Sequence, residues 1–367
     1  MAEPECASHE RGGDVVHLRA RLLPDGRETD LWIDGGRISH QPRPGARTVV
    51  DGGWMMPALV DAHVHVGMNE IGGPLDRPTL DSDLEKLSQA GIGAARVLGS
   101  PSPLPVDLLR GPGKPLLQTA GVPIAAPGRF FPGWGDLVAP EDLPAACAGV
   151  RDTAWVKIIV DWFDESGGYA PAFPADSLTA AVAAAHSAGQ YVAVHAQCAE
   201  GARMAVEAGA DSIEHGMHLP FDLLPQLAAR AGVLVPTGVV FEQLAPSMTG
   251  QDVPDGLRRW FGEGHARHAE LALRAWKAGV TVLAGTDLPV GALVDEIAWL
   301  AAAGLPVHDA VGAASWTARS ALDLPRLREG DRADLICFPD DPRRDLDLLR
   351  RPSLIVLDGV LNAAQTF

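Results

Sequence analysis

Residues 56–67 read MPALVDAHVHVG, a short apolar run that ends in two histidines one residue apart. In a strand, residues i and i+2 face the same side, so His63 and His65 project together. Pro57, Ala58, Leu59 and Val60 read as the entry to a buried strand, and Asp61 and Gly67 bracket the pair. Neutral imidazole suits zinc-like ions. The pair therefore supplies half of a metal site, and the rest of the chain must supply the missing ligands.

Working outward from this stretch, short apolar strands alternate with Ala- and Leu-rich segments of helical pattern. Eight candidate strands lie at 58–66, 94–98, 116–120, 155–161, 191–196, 212–216, 234–237 and 281–287. Helical candidates fall at 83–90, 175–188, 199–208, 221–231, 264–278 and 292–303, several ending in a glycine stop such as Gly189 or Gly209. The alternation predicts an α/β fold of parallel βα units. Eight units over residues 54–325 predict a TIM (β/α)8 barrel.

Residues 14–53 carry apolar/polar alternation broken by turn signals such as Pro24-Asp25-Gly26, and 330–338 and 353–359 return to strand character. Residues 14–53 and 326–367 are thus expected to build one small β-sandwich from both chain termini. Residues 1–13 carry acids without an apolar core and read as a flexible tail.

Composition narrows the function. The chain has 367 residues, 47% hydrophobic and 21% charged, enough to bury a large core. Its net charge of −17 disfavours nucleic acid and anionic membrane surfaces as partners. Cys6, Cys147, Cys198 and Cys337 lack C-x-x-C spacing, as expected of reduced thiols in a cytoplasmic protein. No stretch is long and apolar enough to span a bilayer. The expected partner is a small-molecule substrate, with a homo-oligomer left open.

In a parallel barrel, chemistry sits where strands end. The segments WVKIIVD, VAVHA, IEHG and AGTD bring Lys157, His195, His215 and Asp287 to such ends, facing the same mouth as His63 and His65. Each could serve alone as a snorkelling lysine, a core histidine or a helix cap. One shared site accounts for all of them together.

The order His-x-His, Lys, His, His, Asp resembles the amidohydrolase superfamily. The segments MPALVDAHVHVG, WVKIIVD, VAVHAQ, SIEHG, LVPT, AGTD, GDRADLICF and VLDGV resemble its imidazolonepropionase-like and prolidase-like branch, which includes Xaa-Pro dipeptidases and related carboxypeptidases. The resemblance implies two divalent metal ions, zinc first among them. His63, His65 and Asp287 would hold one, His195 and His215 the other, and Lys157 would bridge both as a carbamate formed with carbon dioxide. It implies hydrolysis of an amide-type C–N bond in an N-acyl amino acid, dipeptide or cyclic amide, by a hydroxide bridging the metals with Asp287 as general acid/base. Ester or lactone hydrolysis, or a lyase or decarboxylase step, are alternatives on the same scaffold. A non-catalytic scaffold protein is disfavoured because all six ligands are present.

Asp61 and Glu214 are placed to orient ligands, and His218 to touch substrate. Where prolidase-like relatives carry a tyrosine two residues after the fifth-strand histidine, this chain has Gln197, whose amide could still donate to an oxyanion. The deaminase branch carries His-x-x-Glu beside a single metal; the corresponding positions are Cys198 and His218, which disfavours a mononuclear deaminase. Residues 238–263, with Phe241, Met248, Trp260 and Phe261, form the longest expected loop and a candidate lid. Phe130, Phe131, Trp134, Trp162, Phe163 and Tyr169 add aromatic surface near the same mouth.

Overall fold

The computed structural model describes residues 15–163, 168–250, 253–287 and 290–363. The expected tail at 1–13 lies outside the described residues.

The chain begins in a sheet built from both of its ends. Seven strands run in the order Val360–Ala363, Leu354–Leu357, Leu335–Phe338, Arg47–Pro57, Val16–Leu22, Arg27–Asp34 and Arg37–Ser39. The two ends thus share one mixed sheet, where the sequence suggested a sandwich. Alternation explains its single core face: Val16, Leu18 and Ala20 turn inward against Leu31, Ile33, Met55 and Leu335. Arg47–Pro57 is the central strand. It pairs parallel with Val16–Leu22 and antiparallel with Leu335–Phe338, then passes almost directly into Leu59–Val64.

From Leu59 the strands become parallel. Leu59–Val64, Ile92–Val97 and Leu116–Thr119 pair in that order. A second run follows the order Thr281–Val282, Val233–Val235, Ser212–His215, Tyr191–Ala196, Trp155–Ile159, Ile124–Ala125 and Asp136–Leu137. Leu59–Val64, Ile92–Val97, Trp155–Ile159 and Ser212–His215 are buried at every position. That is the signature of strands covered on both faces, and it explains their near-continuous apolar sequence. Backbone bonds also join the first and last segments: Ala62 N donates to Ala284 O at 2.9 Å and Asp287 N to His63 O at 2.6 Å.

Helices cover the outside. Ala175–Ser187 buries Leu178, Ala181, Val182 and Ala185, the i, i+3, i+4, i+7 stripe of an amphipathic helix. Ala199–Ala208 begins at Cys198, whose Sγ accepts from Gly201 N, and stops at Gly209 with φ +96°, a left-handed cap suited to glycine. Among the described residues, no helix is long and apolar enough to cross a membrane.

The expected loop and lid at 238–263 is a correction. Gly238–Met248 is a helix, and the next helix, Asp255–Lys277, takes in most of the remainder. Phe241 and Phe261 are buried with Met217 and Val240 in a separate small core, and Met248 and Trp260 pack against it. The helix starts because Glu296, from Leu293–Ala302, accepts from Gly238 N at 2.9 Å and from Val239 N at 2.8 Å. Other boundaries also moved: the eighth strand is reduced to Thr281–Val282, and the segment at 221–231 splits into a 3-10 turn, Phe221–Leu223, and a short helix, Leu224–Ala229.

Removing the Glu296 carboxylate leaves two buried amides unpaired. At roughly 1–3 kcal/mol for each unsatisfied group, Glu296→Ala should destabilise the protein by about 2–6 kcal/mol in urea unfolding at unchanged m-value. A loss below about 0.5 kcal/mol, within the range of ordinary surface substitutions, would show that the carboxylate does not hold this helix.

Candidate metal centre

Strand register brings the predicted residues together. Ile159 lies opposite His195, His195 opposite Glu214, and Ala196 opposite His215. Parallel neighbours therefore deliver their ends to one level, and the imidazoles converge. His63 and His65 lie 5.3 Å apart between ring centroids, His63 and His215 5.2 Å, and His195 and His215 4.7 Å. Asp287 Oδ1 sits 3.2 Å from His63 Nε2 and 3.2 Å from His65 Nε2. Ligand atoms of His63, His65 and Asp287 all lie within 4.8 Å of one another, a spacing a metal ion could bridge.

Each imidazole is tied by one nitrogen. His63 Nδ1 is 2.8 Å from Glu214 Oε2, His65 Nδ1 is 2.8 Å from Gly99 O, and His215 Nδ1 is 2.8 Å from Thr237 Oγ1. Thr237 Oγ1 gives its own proton to Pro236 O, so it accepts from His215. These three rings thus carry a proton on Nδ1 and turn Nε2 to the centre, where Nε2 of His63 and of His65 faces Asp287 Oδ1, an arrangement oriented by outer hydrogen bonds. Asp61 acts on the same strand by accepting from His63 N, Thr286 N and Thr286 Oγ1. Glu214 serves His63, not the adjacent His215.

The backbone is bent to aim these groups. His215, Thr237 and Asp287 have φ of +68°, +53° and +62°. Left-handed conformations of this kind cost non-glycine residues about 1–3 kcal/mol each and concentrate at functional sites.

Electrostatics favour ligation. Burial holds His195 and His215 well below the usual imidazole range and lowers His65 as well, so they remain neutral, the ligating form. At His63, burial and Lys157 act downward, but Asp287 and Glu214 outweigh them and raise it. Burial would raise Asp287, yet the charge of His63 and the hydrogen bonds from His63 and His65 hold it well below the carboxylate range. Burial also opposes ionisation of Glu214, but Arg96 and His63 bring it to about 2.

Lys157 supplies the test of fit. It is 3% exposed, and its Nζ finds no hydrogen-bond partner among the described residues. Burial, aided by the charge of Arg96 and opposed by Glu214 and Asp287, pushes it down to about 8. A buried, unpartnered and readily neutralised amine beside four imidazoles and a carboxylate fits a site for divalent cations.

The two remaining candidates differ. Gln197 Nε2 is 3.5 Å from His195 Nε2, and its backbone N donates to both oxygens of Asp161. His218 is tied to Trp260: its Nε2 bonds Trp260 O at 3.0 Å and its ring stacks on Trp260 at 4.9 Å. An aromatic collar surrounds the candidate ligands, with Trp134 4.8 Å from His65, Trp162 5.3 Å from His195 and Phe241 5.7 Å from His215. Sequence reasoning missed Thr237, Arg96 and Asp161, which carry no spacing signal, and took Tyr169 only as rim surface.

Thr237→Val keeps the shape and removes the acceptor for His215. Loss of such outer partners costs about 10–100-fold in metal affinity, and competition with a chromogenic zinc chelator should show a weakening in that range. Unchanged affinity would mean that Thr237 does not orient His215.

Comparison with known proteins agrees with this geometry. A family model described as the amidohydrolase family matches residues 54–361. An uncharacterised protein of Mycobacterium tuberculosis is 36% identical over 357 residues, covering 94% of this chain and 95% of its own length, and one of Mycobacterium bovis matches equally. Among solved structures, a Xaa-Pro dipeptidase with bound methionine has TM-score 0.79 at 23% identity, over 95% of this chain and 100% of that one. An ochratoxinase of A. niger has TM-score 0.81 at 20% identity, over 96% of each. The converging histidines, the aspartate and the family match over most of the chain lead to one conclusion: this chain belongs to the amidohydrolase family.

Proposed function

We propose that the chain is a metal-dependent hydrolase that cleaves an amide-type C–N bond in a small molecule, an N-acyl amino acid, dipeptide or cyclic amide. The observation that carries the reading is Asp287 Oδ1 at 3.2 Å from both His63 Nε2 and His65 Nε2, together with the buried amine of Lys157, which has no hydrogen-bond partner among the described residues. His63, His65 and Asp287 would hold one cation, and His195 and His215 a second. Lys157, once neutral, would add through Nζ to carbon dioxide, an N–C bond forming as one C=O π bond opens and the proton passing to solvent; the resulting carbamate would offer cations two oxygens sharing a negative charge, where an ammonium would repel them. Zinc suits this donor set. We also read 54–325 as one closed (β/α)8 barrel, supported by the bonds from Ala62 to Ala284 and from Asp287 to His63. In the same reading 14–53 with 326–367 form the second, terminal unit.

Divalent cations here would supply a Lewis acid for the substrate carbonyl and a water acidic enough to attack it near neutral pH. The protein's own groups do the rest. Asp287, a carboxylate held ionised by the imidazoles around it, takes a proton from the attacking water and delivers it to the leaving nitrogen. Gln197, on the loop after His195 and with its Nε2 3.5 Å from His195 Nε2, would donate from its amide to the oxygen that gains charge. Glu214, Asp61 and Thr237 keep the ligands aimed, so little reorganisation remains for the reaction itself. The aromatic collar excludes water and favours a substrate with an apolar or aromatic portion.

The test is a panel of N-acyl amino acids, dipeptides and cyclic amides, read by release of free amine and run in water labelled with oxygen-18. Activity should disappear on chelation, return with zinc and place the label in the carboxylate product. Asp287→Asn should lower the rate by at least about 10²–10⁴-fold. Activity indifferent to chelation, or product without label, would overturn the reading; an unlabelled product would favour a lyase.

A further inference from the structure

Tyr169 lies on the short strand Tyr169–Pro171, paired antiparallel with Asp161–Phe163 beyond the end of Trp155–Ile159. Its hydroxyl is 2.7 Å from His195 Nε2. The ring is fixed on both sides: it stacks on Trp260 at 4.5 Å with planes 8° apart, and meets the edge of Phe163 at 4.8 Å. The strand pair is itself tied down, because Arg129 Nη2 donates to Trp162 O, Ala170 O and Pro171 O. The phenol oxygen is therefore held in place.

His195 reverses the pattern of the other three histidines. Theirs are tied to outer partners at Nδ1 and turn Nε2 to the centre, where those of His63 and His65 face Asp287 Oδ1, whereas His195 is tied at Nε2, and among the described residues no hydrogen bond uses its Nδ1. A neutral imidazole has one N–H and one lone pair. If the lone pair is to serve a cation, the tied nitrogen must carry the proton.

We propose that Tyr169 is the positioning residue for His195: its phenol oxygen accepts from His195 Nε2–H, fixing the tautomer in which Nδ1 presents the lone pair. His195 is then the one histidine of the four to offer Nδ1, and Trp260, from the helix Asp255–Lys277, is the support that keeps the phenol in register. The phenol keeps its own proton, which is free to point toward substrate. This rests on the metal-site reading above and adds a residue from a different βα connection, outside the ligand strands.

The experiment is zinc titration of the metal-free parent and of Tyr169→Phe, which keeps the ring stack and removes only the oxygen. The parent should take up two equivalents. In the variant the second should bind about 10–100-fold more weakly, with the first and the melting temperature unchanged. Because Tyr169 and the exposed Tyr191 are the only two tyrosines, 3-fluorotyrosine labelling gives two fluorine resonances, assigned with Tyr191→Phe. The Tyr169 resonance should move as the second equivalent binds. Equal affinities in parent and variant overturn the proposal while leaving the two-cation reading intact. A single equivalent in the parent overturns the two-cation reading; the proposal then stands if the Tyr169 resonance responds to that equivalent, and falls if it does not.

Discussion

The fully buried pair between Arg96 and Glu214 is the interaction on which the candidate site depends. Arg96 Nη2 lies 3.0 Å from Glu214 Oε1, with both side chains wholly excluded from solvent. Such a pair is stable only when its other donors and acceptors are also satisfied. Most of them are: Arg96 Nε donates to Ala62 O at 2.7 Å, its guanidinium covers the Trp155 ring at 4.3 Å, and Glu214 takes Ser212 Oγ on one oxygen and His63 Nδ1 on the other. One network thus links the strands that carry His63, Lys157 and His215. Removing either Arg96 or Glu214 would leave the other charge unpaired in the interior, which ties the aim of His63 to the integrity of the core.

Chain direction and strain do the remaining positioning. Parallel register brings the strand ends to one level, and left-handed residues at His215, Thr237 and Asp287 turn side chains into the mouth that regular strand geometry would carry past it. Asp161 adds a brace. Its carboxylate accepts from Gln197 N and Cys198 N, and an added Cβ at Gly201 would fall 2.3 Å from Asp161 Oδ2, so the helix after His195 can sit this close only because that residue is glycine. Burial pushes Asp161 up to about 7 in spite of those bonds.

The convergence of the candidate ligands was legible because ligation would impose residue type at strand ends, and strands show as apolar runs. His63, His65, Lys157, His195, His215 and Asp287 all follow from that pattern, and Tyr191–Ala196 and Ala199–Ala208 have the expected bounds. What was illegible depends on partners far apart in sequence. Gly238–Met248 contains Pro246 and starts on a glycine, and the carboxylate that caps it is 58 residues away. Glu214 reaches His63 across 151 residues, and Tyr169 reaches His195 only because two short strands pair. No local periodicity encodes such contacts. The terminal strands were read correctly as strands, but their union in one sheet depends on the pairing of Arg47–Pro57 with both chain ends.

The central claim is that Lys157 joins two cations in one site. The direct measurement is zinc content per chain by elemental analysis, on protein prepared with zinc and bicarbonate, for the parent and for Lys157→Ala. The account predicts close to two zinc ions per chain in the parent and one or fewer in the variant. One ion in both, indifferent to Lys157, would contradict the bridge and point to a mononuclear site.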